Sequence, residues 1–348
     1  MKLQDPLVIR GNTIRNRIVM EPMMTFSFHG DNGFFYGTQH LEHYTARAEG
    51  GAGLIILQDT AVFGAADTTE KWSAGNTKVL RQIAESCHEH GAAVMMQLAC
   101  GNVEINDLTL SDIHAMQRDM VQAAVTACRL GFNGAEFHFA HGFTLCKFLD
   151  AAYNRRTDAY GGDAERRAAI LTEILPEIRE KTGEYFILGV RMGEYQPESS
   201  DGAAAAKVFE RAGIDLLNIS FGMKPPAGPV PSGFPCSVMT WSGCRIRKEV
   251  HIPVIVVNEI RTAEQAEYLV EQDYADFVGI GRAMLTDPDF AGHVLNGEPV
   301  NPCHGCRNCR WFTDHTKCPG LKAYAGKDQS RSRERYRTRD RRDRHDSK

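Results

Sequence analysis

Two histidines three positions apart are the residues of this chain best suited to chemistry. His138 and His141 follow the apolar run 134–137, so both imidazoles emerge near the carboxyl end of a predicted strand. With the spacing of one helical turn they can point into a shared pocket and donate hydrogen bonds to one ligand oxygen or anion. The alternative is a pair of structural histidines that bond only to backbone groups.

Four cysteines near the end of the chain have the spacing of a metal centre. They are Cys303, Cys306, Cys309 and Cys318, in the pattern C-x2-C-x2-C-x8-C. Four thiolates so spaced can enclose one [4Fe–4S] cluster, three from a tight loop and the fourth from beyond it. A four-cysteine zinc site is the alternative, with His304 or His315 as a substitute ligand. Unrelated surface thiols are a third interpretation.

Apolar runs alternate with amphipathic stretches along the chain. The runs lie at 17–20, 54–57, 94–98, 134–137, 187–191, 216–220, 254–257 and 277–280. Helical periodicity is found at 78–90, 113–130, 164–181 and 263–272. Eight buried strands that alternate with helices predict an α/β fold, most simply a closed (β/α)8 TIM barrel with its chemistry at the carboxyl ends of the strands. An open doubly wound sheet is the alternative, but no Gly-x-Gly-x-x-Gly follows the first strand.

Length and composition set the expected domain organisation. The chain has 348 residues, of which 43% are hydrophobic and 24% charged, as is ordinary for a globular protein with a large core. We expect a barrel at 1–300, a cysteine-cluster extension at 301–326 and a charged tail at 327–348. The tail has too few apolar residues to fold alone.

Charge and hydropathy exclude some classes of protein. The net charge of −4 disfavours binding of nucleic acid by the barrel. No apolar run reaches the roughly 18–20 residues that span a bilayer, and the amino terminus lacks the features of a signal peptide. The ten cysteines are then expected to be reduced thiols, used for packing and a metal site. These features predict a cytoplasmic protein that does not bind membranes.

Two motifs follow the fourth predicted strand: His-Phe-Ala-His-Gly-Phe at 138–143 and Asn-Arg-Arg-Thr-Asp-Ala-Tyr-Gly-Gly at 154–162. With these motifs the strand and the segment after it resemble the old yellow enzyme family of flavin-dependent ene-reductases. The resemblance covers about residues 1–300 and implies that the barrel binds FMN. It also implies that reduced FMN transfers hydride to a carbonyl-conjugated alkene, while His138 and His141 bind the carbonyl oxygen as negative charge develops there.

The position of the usual proton donor departs from the family pattern. Relatives carry a tyrosine two residues after the second histidine, and this tyrosine protonates the α-carbon of the substrate. Phe143 stands there in this chain and has no proton to give. Tyr36, Cys100, Tyr153 and water are the alternative donors.

The other residues that the resemblance implies for FMN follow predicted strands. Pro22, Met23 and Thr25 match the segment that lies against the isoalloxazine ring, where the Thr25 hydroxyl near O4 tunes the redox potential, which makes Thr25 a catalytic candidate as well. Gln97 matches the amide that hydrogen-bonds the pyrimidine edge. Arg191 matches the guanidinium beside N1 and O2 that stabilises negative charge on the reduced ring.

The phosphate of FMN is implied to bind at the ends of the seventh and eighth strands. Barrels often build a phosphate site there from backbone amides and a helix amino terminus. Asn258, Gly281 and Arg282 match these positions, although relatives often carry Gly in place of Asn258.

A cysteine cluster directly after the barrel is typical of one branch of the family, which includes 2,4-dienoyl-CoA reductase and trimethylamine dehydrogenase. In that branch the cluster relays electrons to FMN from a further region that binds FAD and a nicotinamide cofactor. This chain stops soon after Cys318, so either a partner chain or NAD(P)H itself is expected to supply the electrons, or the sequence as given is truncated.

The predicted function is therefore hydride transfer from FMN to an activated C=C bond of a small unsaturated substrate, with an iron–sulfur electron relay. The alternatives are oxidation of an amine, a non-catalytic electron-transfer subunit and a tRNA-modifying barrel. Assembly as a homo-oligomer stays open.

Overall fold

The computed structural model describes residues 1–31, 35–62, 72–196 and 200–327, with the backbone alone at 325–327. A short antiparallel hairpin comes first, formed by β1 (Leu7–Ile9) and β2 (Asn12–Ile14). The strands that follow are β3 (Ile18–Met20), β4 (Leu54–Ala61), β5 (Ala93–Ala99), β6 (Gly134–His138), β7 (Ile187–Met192), β8 (Leu216–Ile219), β9 (Val254–Val256) and β10 (Phe277–Ile280). These eight strands pair in parallel, and β10 closes onto β3, so the predicted (β/α)8 barrel is confirmed.

Helices cover the outside of the barrel. Those within the described ranges are α1 (Thr38–Glu49), α2 (Ala74–Glu89), α3 (Leu110–Arg129), α4 (Thr144–Leu149), α5 (Ala164–Thr172), α6 (Leu175–Thr182), α7 (Asp201–Ala212), α8 (Val238–Arg247), α9 (Ala263–Glu271), α10 (Arg282–Thr286), α11 (Phe290–Leu295) and α12 (Pro319–Lys327). The single helix predicted at 164–181 is wrong, because the structure has two. Pro176 lies in the first turn of α6 and has no N–H to continue the hydrogen bonds of α5.

The barrel interior has an apolar layer and a polar layer. The apolar layer lies toward the amino ends of the strands, where Val19, Leu54 and Phe277 pack with Ile9 and Ile14 of the hairpin. The hairpin therefore contributes to the packing at that end of the barrel. The polar layer lies toward the carboxyl ends and consists of Glu21, Gln97, Glu136, Arg191 and Asn218.

The segment after the barrel is tied to it by packing and hydrogen bonds. Trp311 and Cys318 pack with Leu285 of α10. The side-chain amide of Asn301 donates to the carbonyl oxygens of Thr286 and Gly320 at 2.8 and 2.7 Å. The boundary expected at 300/301 stays a prediction, and positions 328–348 of the predicted tail lie outside the described residues.

Among the helices that the structure describes, none combines the length and apolar character needed to cross a membrane.

Candidate active site

The paired histidines lie at the carboxyl end of β6. His138 is the last residue of the strand, and His141 follows in a loop with a positive φ of 63°. The helical turn expected between the two histidines is therefore wrong. A turn with left-handed backbone at His141 instead brings its ring back toward the ring of His138. The ring centroids are 4.9 Å apart, so the two imidazoles still form a pair.

Burial keeps both imidazoles neutral. It lowers the pKa of His138 well below its ordinary value, and the neighbouring His141 and Arg191 lower it further. Burial, with Arg191 as the second cause, lowers the pKa of His141 to about 3. Nε2 of His141 lies 2.8 Å from the hydroxyl of Ser220, whereas Nδ1 of His138 is buried and has no hydrogen-bond partner among the described residues. A neutral imidazole carries one N–H, so each ring has one donor nitrogen and one acceptor nitrogen.

The sequence alternatives for a proton donor are placed unfavourably. Phe143 lies against His138, with ring centroids 5.5 Å apart, and is 37% exposed. Tyr36 is fully buried, with its hydroxyl 2.8 Å from that of Thr60. Burial raises the pKa of Cys100 far above the ordinary value of a thiol.

The hydroxyl of Tyr153 donates to Glu104, which raises the pKa of Tyr153. Transfer of that proton to a substrate would break this bond and is therefore disfavoured.

A network of buried polar groups fills the barrel interior beside the histidines. Arg191 Nη1 pairs with Glu21 Oε2 at 2.9 Å. Asn218 Nδ2 donates to both oxygens of Glu21 at 3.2 Å and to Glu136 Oε2 at 2.9 Å. Gln97 Nε2 donates to Glu136 Oε1 at 2.7 Å. The predicted Gln97 and Arg191 are therefore bridged by three residues that sequence reasoning missed.

Both glutamates of this network resist ionisation. Burial raises the pKa of Glu21, against the opposing effects of Arg191 and Asn218. Burial, with the charge of Glu21 in addition, raises the pKa of Glu136 to about 7, although Arg191 acts in the opposite direction.

A cavity of about 480 Å³ lies at the carboxyl ends of β3, β7, β8, β9 and β10, within the size range of small-molecule sites. Five of the residues predicted to bind FMN line it: Met23, Arg191, Asn258, Gly281 and Arg282. Within the described part of the chain, Pro22, Thr25 and Gln97 lie outside this lining. Ser220 and Phe221 line the cavity and contact His141, so the histidine pair is its neighbour.

The lining of the cavity carries more positive than negative charge. Arg261, Arg282 and Arg307 line it, and Glu259 pairs with the first two at 2.8 and 3.5 Å. Asn258 has a φ of 91°, a conformation in which glycine is ordinary and asparagine is tolerated.

Thr25 belongs to a separate chain of hydrogen bonds. Its hydroxyl donates to Gln58 Oε1 at 2.7 Å and lies 2.9 Å from His40 Nε2. Nδ1 of His40 accepts from the Gly37 N–H, so Nε2 carries the proton and donates to Thr25. The Thr25 hydroxyl is thereby oriented toward Gln58, which was not predicted. Gln58 Nε2 is buried and has no hydrogen-bond partner in the part of the chain that the structure describes.

The four predicted cysteine ligands line one small cavity, of about 20 Å³, next to the first. Two of them, Cys306 and Cys309, also line the larger cavity. Among the described residues, no three His, Cys, Asp or Glu side chains are grouped closely enough to hold a metal ion. The four cysteines therefore line a common space, and the metal site stays a prediction.

Comparison with known proteins gives consistent matches. The model of the NADH:flavin oxidoreductase / NADH oxidase family matches residues 2–107 and 99–301. An NADH oxidase from Thermoanaerobacter brockii is 32% identical over 341 residues, covering 86% of this chain and 51% of that protein. An NADPH dehydrogenase from Halalkalibacterium halodurans is 31% identical over 317 residues, covering 82% of this chain and 92% of that protein. The chain thus spans about half the length of the first relative and most of the second.

A similar fold is found in the solved structure of an old yellow enzyme homologue from Zymomonas mobilis. Its TM-score is 0.68 at 21% sequence identity, with 90% of this chain and 99% of that chain covered.

Proposed function

Because this chain belongs to the NADH:flavin oxidoreductase / NADH oxidase family, a class of FMN-dependent oxidoreductases, we propose that it reduces a C=C bond conjugated to a carbonyl group. The proposal includes FMN in the 480 Å³ cavity and NADH or NADPH as the source of electrons. The observation that carries it is the pair of neutral imidazoles, 4.9 Å apart, beside this cavity.

The lining of the cavity fits FMN. A Cβ on Gly279 would lie 2.3 Å from Glu21 Oε1, and one on Gly281 would lie 3.1 Å from Met23 Sδ, so side chains there would crowd the lining. Arg261, Arg282 and Arg307 supply positive charge for the phosphate.

We assign the isoalloxazine ring to Met23 and Arg191, which line the cavity, and to Pro22, Thr25 and Gln97, which lie outside its lining. We assign the phosphate to Asn258, Gly281 and Arg282. When bound, FMN supplies the transfer of two electrons to the substrate. Arg191 provides a fixed positive charge for its pyrimidine end.

The histidines bind the carbonyl oxygen of the substrate. A neutral imidazole donates a hydrogen bond without placing a full charge in the site, and the bond strengthens as negative charge develops on the oxygen. We assign His138 and His141 to this role. The proton for the α-carbon comes from water, because Phe143 has none and is 37% exposed to solvent.

The test is turnover by the FMN-reconstituted protein, with a panel of enones, enoates and enoyl-thioesters and with NADH, NADPH or dithionite as reductant. His138→Ala and His141→Ala are each expected to lower kcat/KM by roughly 10²–10³, the effect of losing one such donor. His114→Ala, at an exposed histidine, is the control. A yellow protein whose turnover is the same in all four forms would refute the assignment.

Phe143 favours a second candidate, the oxidation of an amine, which needs no proton at an α-carbon. A panel of amines with an artificial electron acceptor separates this activity from alkene reduction. A flavoprotein inert in both assays would instead be an electron-transfer subunit.

The cysteine segment is the third part of the proposal. The donor set fits a [4Fe–4S] cluster or zinc, and Cys306 and Cys309 border the proposed FMN cavity. Anaerobic reconstitution followed by iron, sulfide and zinc analysis tests it, with Cys306→Ser as the variant and Cys236→Ser as the control. Equal metal content in these two variants would contradict the site.

The electron-donor partner chain, the homo-oligomer and the cytoplasmic location stay predictions.

A further inference from the structure

Two carboxyl groups lie close together inside the barrel, and neither has a role in the proposed reaction. Glu21 follows β3 and Glu136 lies in β6, and the side-chain amide of Asn218 donates to both. Both glutamates are almost fully buried, at 2% and 1% exposure. They are therefore neighbours in a region from which water is excluded.

The charges around this pair do not balance. Arg191 of β7 is the cation that contacts it, through Glu21 at 2.9 Å. The other groups that face the pair are Gln97 from β5 and Asn218 from β8, which are neutral, and Gly279 of β10 next to Glu21. His138 and His141 lie on the side of Arg191 and are neutral because they are buried. Two ionised glutamates would thus leave one uncompensated negative charge in the barrel interior, which is strongly disfavoured.

The contacts indicate which group holds a proton. Glu21 has the ion pair with Arg191, whereas the partners of Glu136 within the described ranges are the amide donors Gln97 and Asn218. A carboxylate is stabilised more by a guanidinium than by neutral amides, so Glu136 is the protonated partner. The raised pKa of Glu136, about 7, agrees with this assignment.

We propose that Glu21 and Glu136 form a proton-sharing pair that holds one proton in the resting protein and takes up a second when negative charge is placed against Arg191. The second part rests on the proposed function, because it assigns that charge to FMN reduced by two electrons from NAD(P)H or dithionite. Glu21 and Arg191 both line the cavity, so an anion there competes with Glu21 for the guanidinium. The proton passes from solvent to a Glu21 oxygen, and no covalent bond to the flavin forms or breaks. Glu21 and Glu136 are positioning residues that set the charge next to Arg191, and they do not contact the substrate.

The first test uses the whole protein without FMN, so that it stands apart from the proposed function. Infrared spectroscopy at pH 7 is expected to show the carbonyl band of a buried protonated carboxyl group. Glu21→Gln and Glu136→Gln should each abolish it, because the charge of Arg191 then balances the single remaining acid, which ionises. Glu271→Gln, at an exposed glutamate, should leave it unchanged. A wild-type protein without the band, or a band that persists in both single variants, would overturn the shared proton.

The second test measures the midpoint potential of bound FMN against pH. The wild-type slope should correspond to one proton more per electron pair than the slope of the double variant Glu21→Gln/Glu136→Gln, because neither side chain of the double variant can take up a proton. Equal slopes would overturn the coupling to Arg191, while the infrared result would still decide the first part. Failure of the protein to bind FMN would refute the proposed function and, with it, the second part of this proposal.

Discussion

The ring of His141 lies between Phe221, 4.6 Å away, and the hydroxyl of Ser220, and burial there lowers its pKa to about 3. An exposed histidine in the unfolded chain has a pKa of about 6.5. Below this pH the unfolded state therefore binds a proton on His141, whereas the folded state does not. Stability that depends on the neutral ring is intact above about pH 6.5 and is lost as the pH falls toward 3.

We accordingly expect His141→Asn to lose stability less steeply than the wild type between pH 6.5 and 4, because asparagine does not titrate. Urea denaturation midpoints at several pH values measure this difference. The exposed variant His114→Asn should follow the wild-type curve. Parallel curves for His141→Asn and wild type would show that the folded protein accepts a proton on this ring.

The sequence predicted some site residues and missed others for a physical reason. Met23, Arg191 and Gly281 meet at one cavity because the carboxyl ends of parallel strands lie at one face of a barrel. Glu136 and Asn218 interrupt apolar runs, which was a usable signal for a buried polar network. Their pairing across the barrel was not predictable, because it depends on the register between strands that are distant in sequence.

Among the elements, strands were easier to predict than helix ends. The run predicted at 277–280 coincides with β10, because a buried parallel strand is a short continuous apolar segment. β4 extends four residues beyond the predicted 54–57. The prediction ended too early because the additional residues include the polar side chains of Gln58 and Thr60, which are buried in the structure. The broken helix at Pro176 was visible in the sequence as a proline inside the periodic stretch.

The amino terminus of α3 allows a prediction at this scale. Thr109 accepts from the Asp112 N–H at 3.2 Å, and the Asp112 carboxylate accepts from the Thr109 N–H at 2.8 Å, which forms a capping box. Thr109→Ala should lower the free energy of unfolding by about 0.5–2 kcal/mol, as loss of a cap does. Thr126→Ala makes the same chemical change inside α3, and chemical denaturation should find it nearly neutral. An equal loss in both variants would mean that the cap does not stabilise the helix.

At the scale of the whole molecule, the barrel and the segment after it share the proposed cofactor site. Arg307 and Phe312 line the 480 Å³ cavity although they follow the last strand by more than twenty residues. The barrel could be predicted from alternating apolar runs, because each strand is specified by local sequence. The contribution of the extension to the cavity wall could not be predicted from the sequence, because this contribution depends on how the extension folds back onto α10.

Asn301 ties the extension to the barrel, and substitution of Asn301 should detach the extension from the barrel. Asn301→Ala leaves the carbonyl oxygens of Thr286 and Gly320 without this donor inside the protein, at a cost of about 1–3 kcal/mol for each unsatisfied group. Amide exchange measured by mass spectrometry should therefore accelerate at 302–324 while the barrel strands stay protected, and FMN should bind more weakly because Arg307 loses its fixed position. Asn296→Ala, at an exposed asparagine five residues earlier, should change neither quantity. Faster exchange throughout the barrel would instead mean that the extension and the barrel unfold as one unit, and the predicted boundary at 300/301 would be wrong.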